Sequence, residues 1–147
     1  MKIRRARRDD MTDHVILRQE LWPRHDMEGL LKESHSHYQH EEKYPIFLAV
    51  GEFGDLQGFI ELSIRQDCPG CQTDKVGYIE GWYVKKEFQG QGIGRALVLA
   101  AEEWAMSKGI TEMASDTNED YPGSPEAHKA LGYLETPKPL HYMKQLK

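Results

Sequence analysis

The sequence predicts an α/β fold, a mixed central sheet of about six to seven strands flanked by about four helices. Its 147 residues are enough for one core around one sheet, so residues 1–147 read as a single domain. Strand-like and helix-like stretches are interleaved along the whole chain, and the unit from Gly77 to Ser115 runs strand, loop, helix, strand. Within that unit, Ile93, Ala96, Leu97, Ala100, Ala101 and Trp104 recur at helical spacing on one face, the clearest periodicity in the chain.

The elements follow in order. Met1 to Arg7 is a short strand with Ile3 inward. Asp9 or Asp10 caps a helix to about Leu21, where Val15, Ile16 and Leu17 give a blurred period, and Trp22-Pro23 stops it. A weaker helix spans Asp26 to about Glu41 through Met27, Leu30 and Leu31. Ile46 to Val50 is an unbroken apolar run and hence a buried strand; the turn Gly51 to Asp55 joins it to a strand from about Leu56 to Ile64 as a hairpin. Gln66 to Val76 has loop chemistry, and Gly77 to Lys85 alternates as a strand. The strong helix ends at Lys108-Gly109, with Ile110 to Ser115 the next strand. Ser124-Pro125 predicts an N-cap followed by Pro at the first helical position, for a short helix to Leu131. Tyr133 to Glu135 and Leu140 to Gln145 form a last pair of strands.

Composition narrows the function. Hydrophobic residues make up 39% and charged residues 29%, a folded balance rather than a disordered one. No stretch of apolar residues is long enough to cross a membrane, and the first ten residues turn acidic where a signal peptide needs an apolar run, so a cytoplasmic protein without membrane contact is expected. A net charge of −5 argues against nucleic acid and suits a cationic partner. Cys68 and Cys71, in Cys-Pro-Gly-Cys, read first as a local turn, and no His base stands beside them to support a covalent acyl-enzyme. The i, i+2, i+5 spacing of His35, His37 and His40 puts His35 and His37 on different faces of a helix end, which reads as solvated, so no metal is expected.

Gln89-Gly90-Gln91-Gly92-Ile93-Gly94-Arg95 carries the chemistry. Three glycines at a helix start permit positive φ and close backbone approach, so that free amides and the helix dipole converge on an anion such as a pyrophosphate. A turn whose glycines serve only strand-to-helix packing explains the same residues. The loop is neither a P-loop, for want of Lys-Ser/Thr, nor the dinucleotide fingerprint. Following Trp82-Tyr83-Val84 and opening an amphipathic helix, it resembles the acyl-coenzyme A loop of the GCN5-related N-acetyltransferase (GNAT) superfamily, whose order of elements also matches the whole chain. Leu21-Trp22-Pro23, Ser63-Ile64-Arg65-x-Asp67, Glu80-Gly81, Glu112 to Thr117 and His128-x-Ala130-Leu131-Gly132-Tyr133-x-Glu135-Thr136 resemble, within it, the aminoglycoside 6′-N-acetyltransferases.

That resemblance implies transfer of acetyl from acetyl-CoA, as cosubstrate, directly to the 6′-amine of an aminoglycoside, conferring resistance, by a homodimer. Deprotonating an alkyl ammonium at pH 7 costs roughly 4 kcal/mol, and a nearby carboxylate is the simplest remedy. Glu80, mid-strand with Tyr78 and Trp82 on its own face, is the first candidate base; Asp116, at the C-terminal end of the next strand, is the second. The family pattern places Trp22, Cys68, Glu80, Asp116 and Glu135 around the aminoglycoside, with Cys68 where an aromatic is common. It gives the backbone of Trp82, Tyr83 and Val84 to the pantetheine arm, with an amide near Tyr83 or Val84 for the oxyanion, and Gln89, Gly90, Gln91, Gly92, Ile93, Gly94 and Arg95 to the pyrophosphate. His128 stands where many members have a thiol-protonating Tyr, and Tyr121 where many have Asn; His128 can donate a proton or be a surface helix residue. Two other readings stay open: the same fold acting on a polyamine, small metabolite or protein N-terminus, and a non-catalytic acyl-CoA-binding module.

Overall fold

A computed structural model describes residues 1–146. The strands are β1 (Lys2–Arg5), β2 (Ile46–Val50), β3 (Leu56–Arg65), β4 (Val76–Val84), β5 (Glu112–Asp116), β6 (Leu134–Glu135) and β7 (His141–Gln145). The α-helices are α1 (Met11–Leu21), α2 (Met27–Gln39), α3 (Ile93–Ser107) and α4 (Ser124–Ala130), with single 3-10 turns at Arg8–Asp10 and Lys86–Phe88. The strands form one seven-stranded sheet in the order β1-β2-β3-β4-β5-β7-β6. It is mixed: β4 and β5 pair in parallel, while β1/β2, β2/β3, β5/β7 and β6/β7 are antiparallel. The predicted mixed α/β architecture is therefore the observed one.

Two compact units emerge from the contacts, residues 1–61 with 81–100 and residues 62–80 with 101–146. In the first, Leu17, Tyr38, Ile46, Leu48 and Phe59 form the buried core. Here α1 explains its own blurred period. His14 and Arg18, one helical turn apart, are buried beside Val15 and Leu17, whereas Ile16 is 49% exposed, so the inward face is part polar. In α2 the inward residues are Leu30, Ser34 and Tyr38, spaced by four; Met27 and Leu31 stay exposed. The Asp26 side chain accepts the Gly29 amide at 2.6 Å and starts that helix.

The second unit is built on Val76, Tyr78, Ala114 and Met143, with Cys68 and Cys71 packed against them. The start of α4 differs from the prediction: Gly123 is the N-cap and Ser124 is already helical. The Ser124 carbonyl and hydroxyl both face His128 Nδ1 one turn on, at 2.8 and 3.3 Å, and no side chain caps the helix start. Strand β5 begins two residues later than expected because Ile110 bonds back to the Ala105 carbonyl at 2.9 Å and closes the helix end at Gly109, φ +75°.

Candidate active site

The two candidate carboxylates, Glu80 and Asp116, lie in the second unit. Glu80 is an outward residue of β4, and its carboxylate is gripped from β3. Ser63 Oγ donates to Oε2 at 2.5 Å, and Arg65 forks onto both oxygens, Nε to Oε2 at 3.1 Å and Nη2 to Oε1 at 3.0 Å. The Arg65 guanidinium also lies flat over Tyr78, 3.5 Å from the ring centroid. The Tyr78 hydroxyl donates to Asp116 Oδ2 at 2.6 Å. Burial, then this bond to the Asp116 carboxylate, pushes the Tyr78 phenol up, so it stays a donor at neutral pH. Buried His141 approaches the same hydroxyl through Nδ1 at 3.5 Å; burial holds the His141 imidazole below its ordinary range. Glu80 and Asp116 are thus both exposed and joined through Tyr78 and Arg65.

This differs from the setting expected for Glu80, an aromatic face: the group directly against it is a cation. Ser63 and Arg65 are the site residues that the sequence reading did not assign a role. A signal was present, since two residues of one strand spaced by two project to one face, toward whatever the neighbouring strand presents.

Other predicted residues have local duties. Glu135, exposed on β6, accepts the Leu140 amide at 2.9 Å and so braces a turn in which Leu140 has φ +59°. Cys68 lies 2.9 Å from Cys71, sulfur to sulfur. His128 is buried rather than on the surface. Its Nε2 is 2.8 Å from Ser115 Oγ, its Nδ1 is 2.8 Å from the Ser124 carbonyl, and its ring stacks on Tyr142 at 4.7 Å. Burial lowers its pKa, against the opposing pull of the Ser124 carbonyl and Asp116. These contacts pack His128 between α4, Ser115 and Tyr142.

The glycine loop lies in the first unit. Gly90 and Gly92 have φ +80° and +84°, with nothing within 4 Å of where a Cβ would sit, and Gln89 to Gly92 are exposed. Ala96 is the first residue to bond back, to the Gly92 carbonyl at 3.0 Å. In helical geometry the amides of Ile93, Gly94 and Arg95 then have no carbonyl one turn behind them, and they open a fifteen-residue helix. Gly94 corrects the expectation for all three glycines. It is helical, and a Cβ there would lie 3.4 Å from Trp82, whose Nε1 donates to the Gly94 carbonyl at 3.2 Å. Gly90 and Gly92 shape the loop, and Gly94 is a helical residue in ordinary contact with Trp82. Ile93 is buried and Arg95 exposed. Gln89 Nε2 donates to the Val84 carbonyl at 2.9 Å, tying the loop to the end of β4. Registered pairing of β4 with β5 covers Gly77 to Ile79, while β4 runs on through Trp82, Tyr83 and Val84. Tyr83 hydrogen-bonds Glu20 at 2.8 Å.

Trp22 caps α1, and its ring rests where a Cβ on Gly81 would be, 2.8 Å away. That contact gives Gly81 its reason. Among the described residues, no group of three or more His, Cys, Asp or Glu side chains is disposed to hold a metal, and the His37 ring lies tilted 36° against Tyr44 at 4.8 Å.

Comparison with known proteins agrees with this layout. The acetyltransferase (GNAT) family model matches residues 5–133. An aminoglycoside N(6′)-acetyltransferase type 1 of Stenotrophomonas maltophilia is 36% identical over 141 residues, 95% of this chain and 90% of that protein. One from Klebsiella aerogenes is 36% identical over 150 residues, 98% of this chain and 96% of that protein. Among solved structures, AAC(6′)-Iy in complex with the bisubstrate analogue CoA-S-monomethyl-acetylneamine matches with a TM-score of 0.86 at 33% identity, over 93% of this chain and 92% of that one. AAC(6′)-IG from Acinetobacter haemolyticus matches with a TM-score of 0.86 at 31% identity, over the full length of both. With a family match over most of its length and relatives alike from end to end, the chain belongs to the GNAT acetyltransferase family.

Proposed function

We propose that this acetyltransferase moves an acetyl group from acetyl-CoA directly to the 6′-amine of an aminoglycoside, an activity that confers resistance to the antibiotic. The observation that carries the acceptor class is the pair of exposed carboxylates, Glu80 and Asp116, on neighbouring strands of the sheet. Full-length relatives that are aminoglycoside N(6′)-acetyltransferases support it. Carboxylates bind ammonium groups, and several of them select a polycation over a singly charged amine.

The thioester of acetyl-CoA supplies the activated acyl group. Gly90 to Arg95 bind its pyrophosphate through loop and helix amides, and the backbone of Trp82 to Val84 pairs with the pantetheine arm as an added strand. Glu80 binds the substrate ammonium in competition with Arg65, and it accepts the proton, directly or through water, as the amine attacks. Asp116, oriented by Tyr78, holds a second ammonium or shares the proton transfer. An amide near Tyr83 or Val84 polarises the thioester carbonyl and stabilises the oxyanion. Trp22 forms an apolar wall for the sugar, Glu135 adds negative charge, and Cys68 stands where an aromatic would stack. Juxtaposing two bound substrates supplies most of the acceleration.

We also read the chain as one domain, acting as a homodimer in the cytoplasm; its two free thiols fit a reducing compartment, and edge strand β6, with Leu134 68% exposed, offers a C-terminal surface for pairing. Sedimentation checks the dimer. Steady-state release of coenzyme A tests the reaction: kanamycin and tobramycin are expected to support turnover, whereas turnover with spermidine or a peptide alone would overturn the acceptor assignment.

A further inference from the structure

The sequence marks Cys-Pro-Gly-Cys as a turn, and the fold shows what that turn does to its two sulfurs. Pro69 and Gly70 occupy its centre, Gly70 has φ +82°, and the Cys71 amide donates to the Cys68 carbonyl at 3.1 Å. These are the marks of a type II turn, which brings its first and last Cα atoms within roughly 7 Å, the separation a disulfide spans. The side chains complete the approach, with Sγ to Sγ at 2.9 Å and both thiols packed against Val76, Tyr78, Ala114 and Met143.

The turn is held on both sides. A Cβ on Gly70 would come within 2.6 Å of Thr136, so Thr136 backs the turn directly. Just past Cys71, the buried Glu112 carboxylate takes the Gln72 amide at 3.0 Å, the Thr73 amide at 2.7 Å and the Thr73 hydroxyl at 2.6 Å. A Cys-x-x-Cys in a loose loop has to find its partner; this pair is already together.

We propose that Cys68 and Cys71 form a reversible dithiol–disulfide site that is oxidised by low-molecular-weight disulfides. In the first step the Cys68 thiolate attacks one sulfur of the small disulfide, forming a mixed disulfide and releasing one thiolate. In the second, Cys71 attacks Cys68 Sγ and releases the other. Two cysteine S–H bonds are lost and one S–S bond is made; the small disulfide is reduced to two thiols, which take up the protons. Burial, then Cys68 and Glu112, push the Cys71 thiol up, which makes Cys71 the resolving rather than the attacking sulfur. The inference stands on the geometry of the two thiols rather than on the acetyl-transfer reading, although Cys68 is also one of the proposed substrate-contacting positions.

The chain holds only these two cysteines, so counting thiols on the whole protein reads the site directly. After incubation of the native protein with oxidised glutathione, both thiols are expected to disappear together, with an intact mass lower by two hydrogens and full recovery in dithiothreitol. The C71S variant is expected to stall with one glutathione on Cys68. Stable glutathione adducts on the unaltered chain, a disulfide-linked dimer, or two thiols still countable after denaturation would each overturn the proposal.

Discussion

Two arginine–glutamate pairs, one in each compact unit, use the same chemistry to opposite ends. In the first unit Arg18 and Glu61 are 1% and 3% exposed. Arg18 donates Nε to Glu61 at 2.8 Å and Nη1 to the Leu30 carbonyl and Ser34 Oγ at 3.0 and 2.9 Å, and it also pairs with Glu33. His14 Nε2 lies 2.8 Å from Glu61, and His14 Nδ1 lies 2.8 Å from Tyr38. In the second unit Arg65 and Glu80 are 44% and 33% exposed, with water on hand for either charge. Dehydrated charges that lose their partner have no substitute, so the first pair locks α1, α2 and β3 together. The hydrated pair can exchange partners, which is what the role proposed for Glu80 requires.

The largest expected effect belongs to the open pair. Replacing Glu80 by Gln and Asp116 by Asn is expected to lower kcat/KM for an aminoglycoside about 10²- to 10⁴-fold, the range of a lost general base, while calorimetry finds coenzyme A binding intact. Unchanged turnover would remove both carboxylates from the mechanism. At the sealed pair, Arg18→Ala leaves Glu61 buried without its guanidinium and is expected to cost about 3–5 kcal/mol in urea unfolding; a loss under 1 kcal/mol would show that the pair is not sealed.

Acid sharpens the contrast further. Burial alone would raise the Glu61 pKa, but His14 and Arg18 outweigh it and hold the carboxyl below its ordinary 4.5. A carboxyl lowered by folding contributes stability that is fully present above the unfolded pKa and lost as pH falls through the folded one. Urea midpoints measured from neutral to acid pH should therefore drop below about pH 4.5, and Glu61→Gln should flatten that part of the curve. The smallest effect belongs to Arg65→Ala. Its exposed pair is expected to contribute less than about 1 kcal/mol to stability, whereas KM for a cationic acceptor falls, because Arg65 no longer competes for Glu80, and becomes more sensitive to salt. A stability loss as large as that of Arg18→Ala would make the two pairs alike.

Much of the architecture was legible because it rests on local rules. Ile46–Val50 was readable from its apolar run, α3 from its one-sided stripe, and the glycine loop from residues needed at positive φ. Legibility failed where a residue's role depends on something distant in sequence. The period of α1 is blurred because His14 and Arg18 face inward to meet Glu61, more than forty residues on. His128 resembles a surface helix residue until Ser115 and Tyr142 enclose it. Gly81 is needed because the Trp22 ring, more than fifty residues earlier in the chain, would meet a Cβ there at 2.8 Å.

By itself the sequence determined the strand and helix segments, the mixed α/β class and the candidates for the donor loop and the acceptor carboxylates, because period, turn chemistry and helix ends act over a few residues. Which partner each charge meets was decided only by the tertiary structure. Strand register and burial set whether a carboxylate faces water, as Glu80 does beside Arg65, or is sealed, as Glu61 is beside Arg18 and His14, and neither can be read from neighbours along the chain.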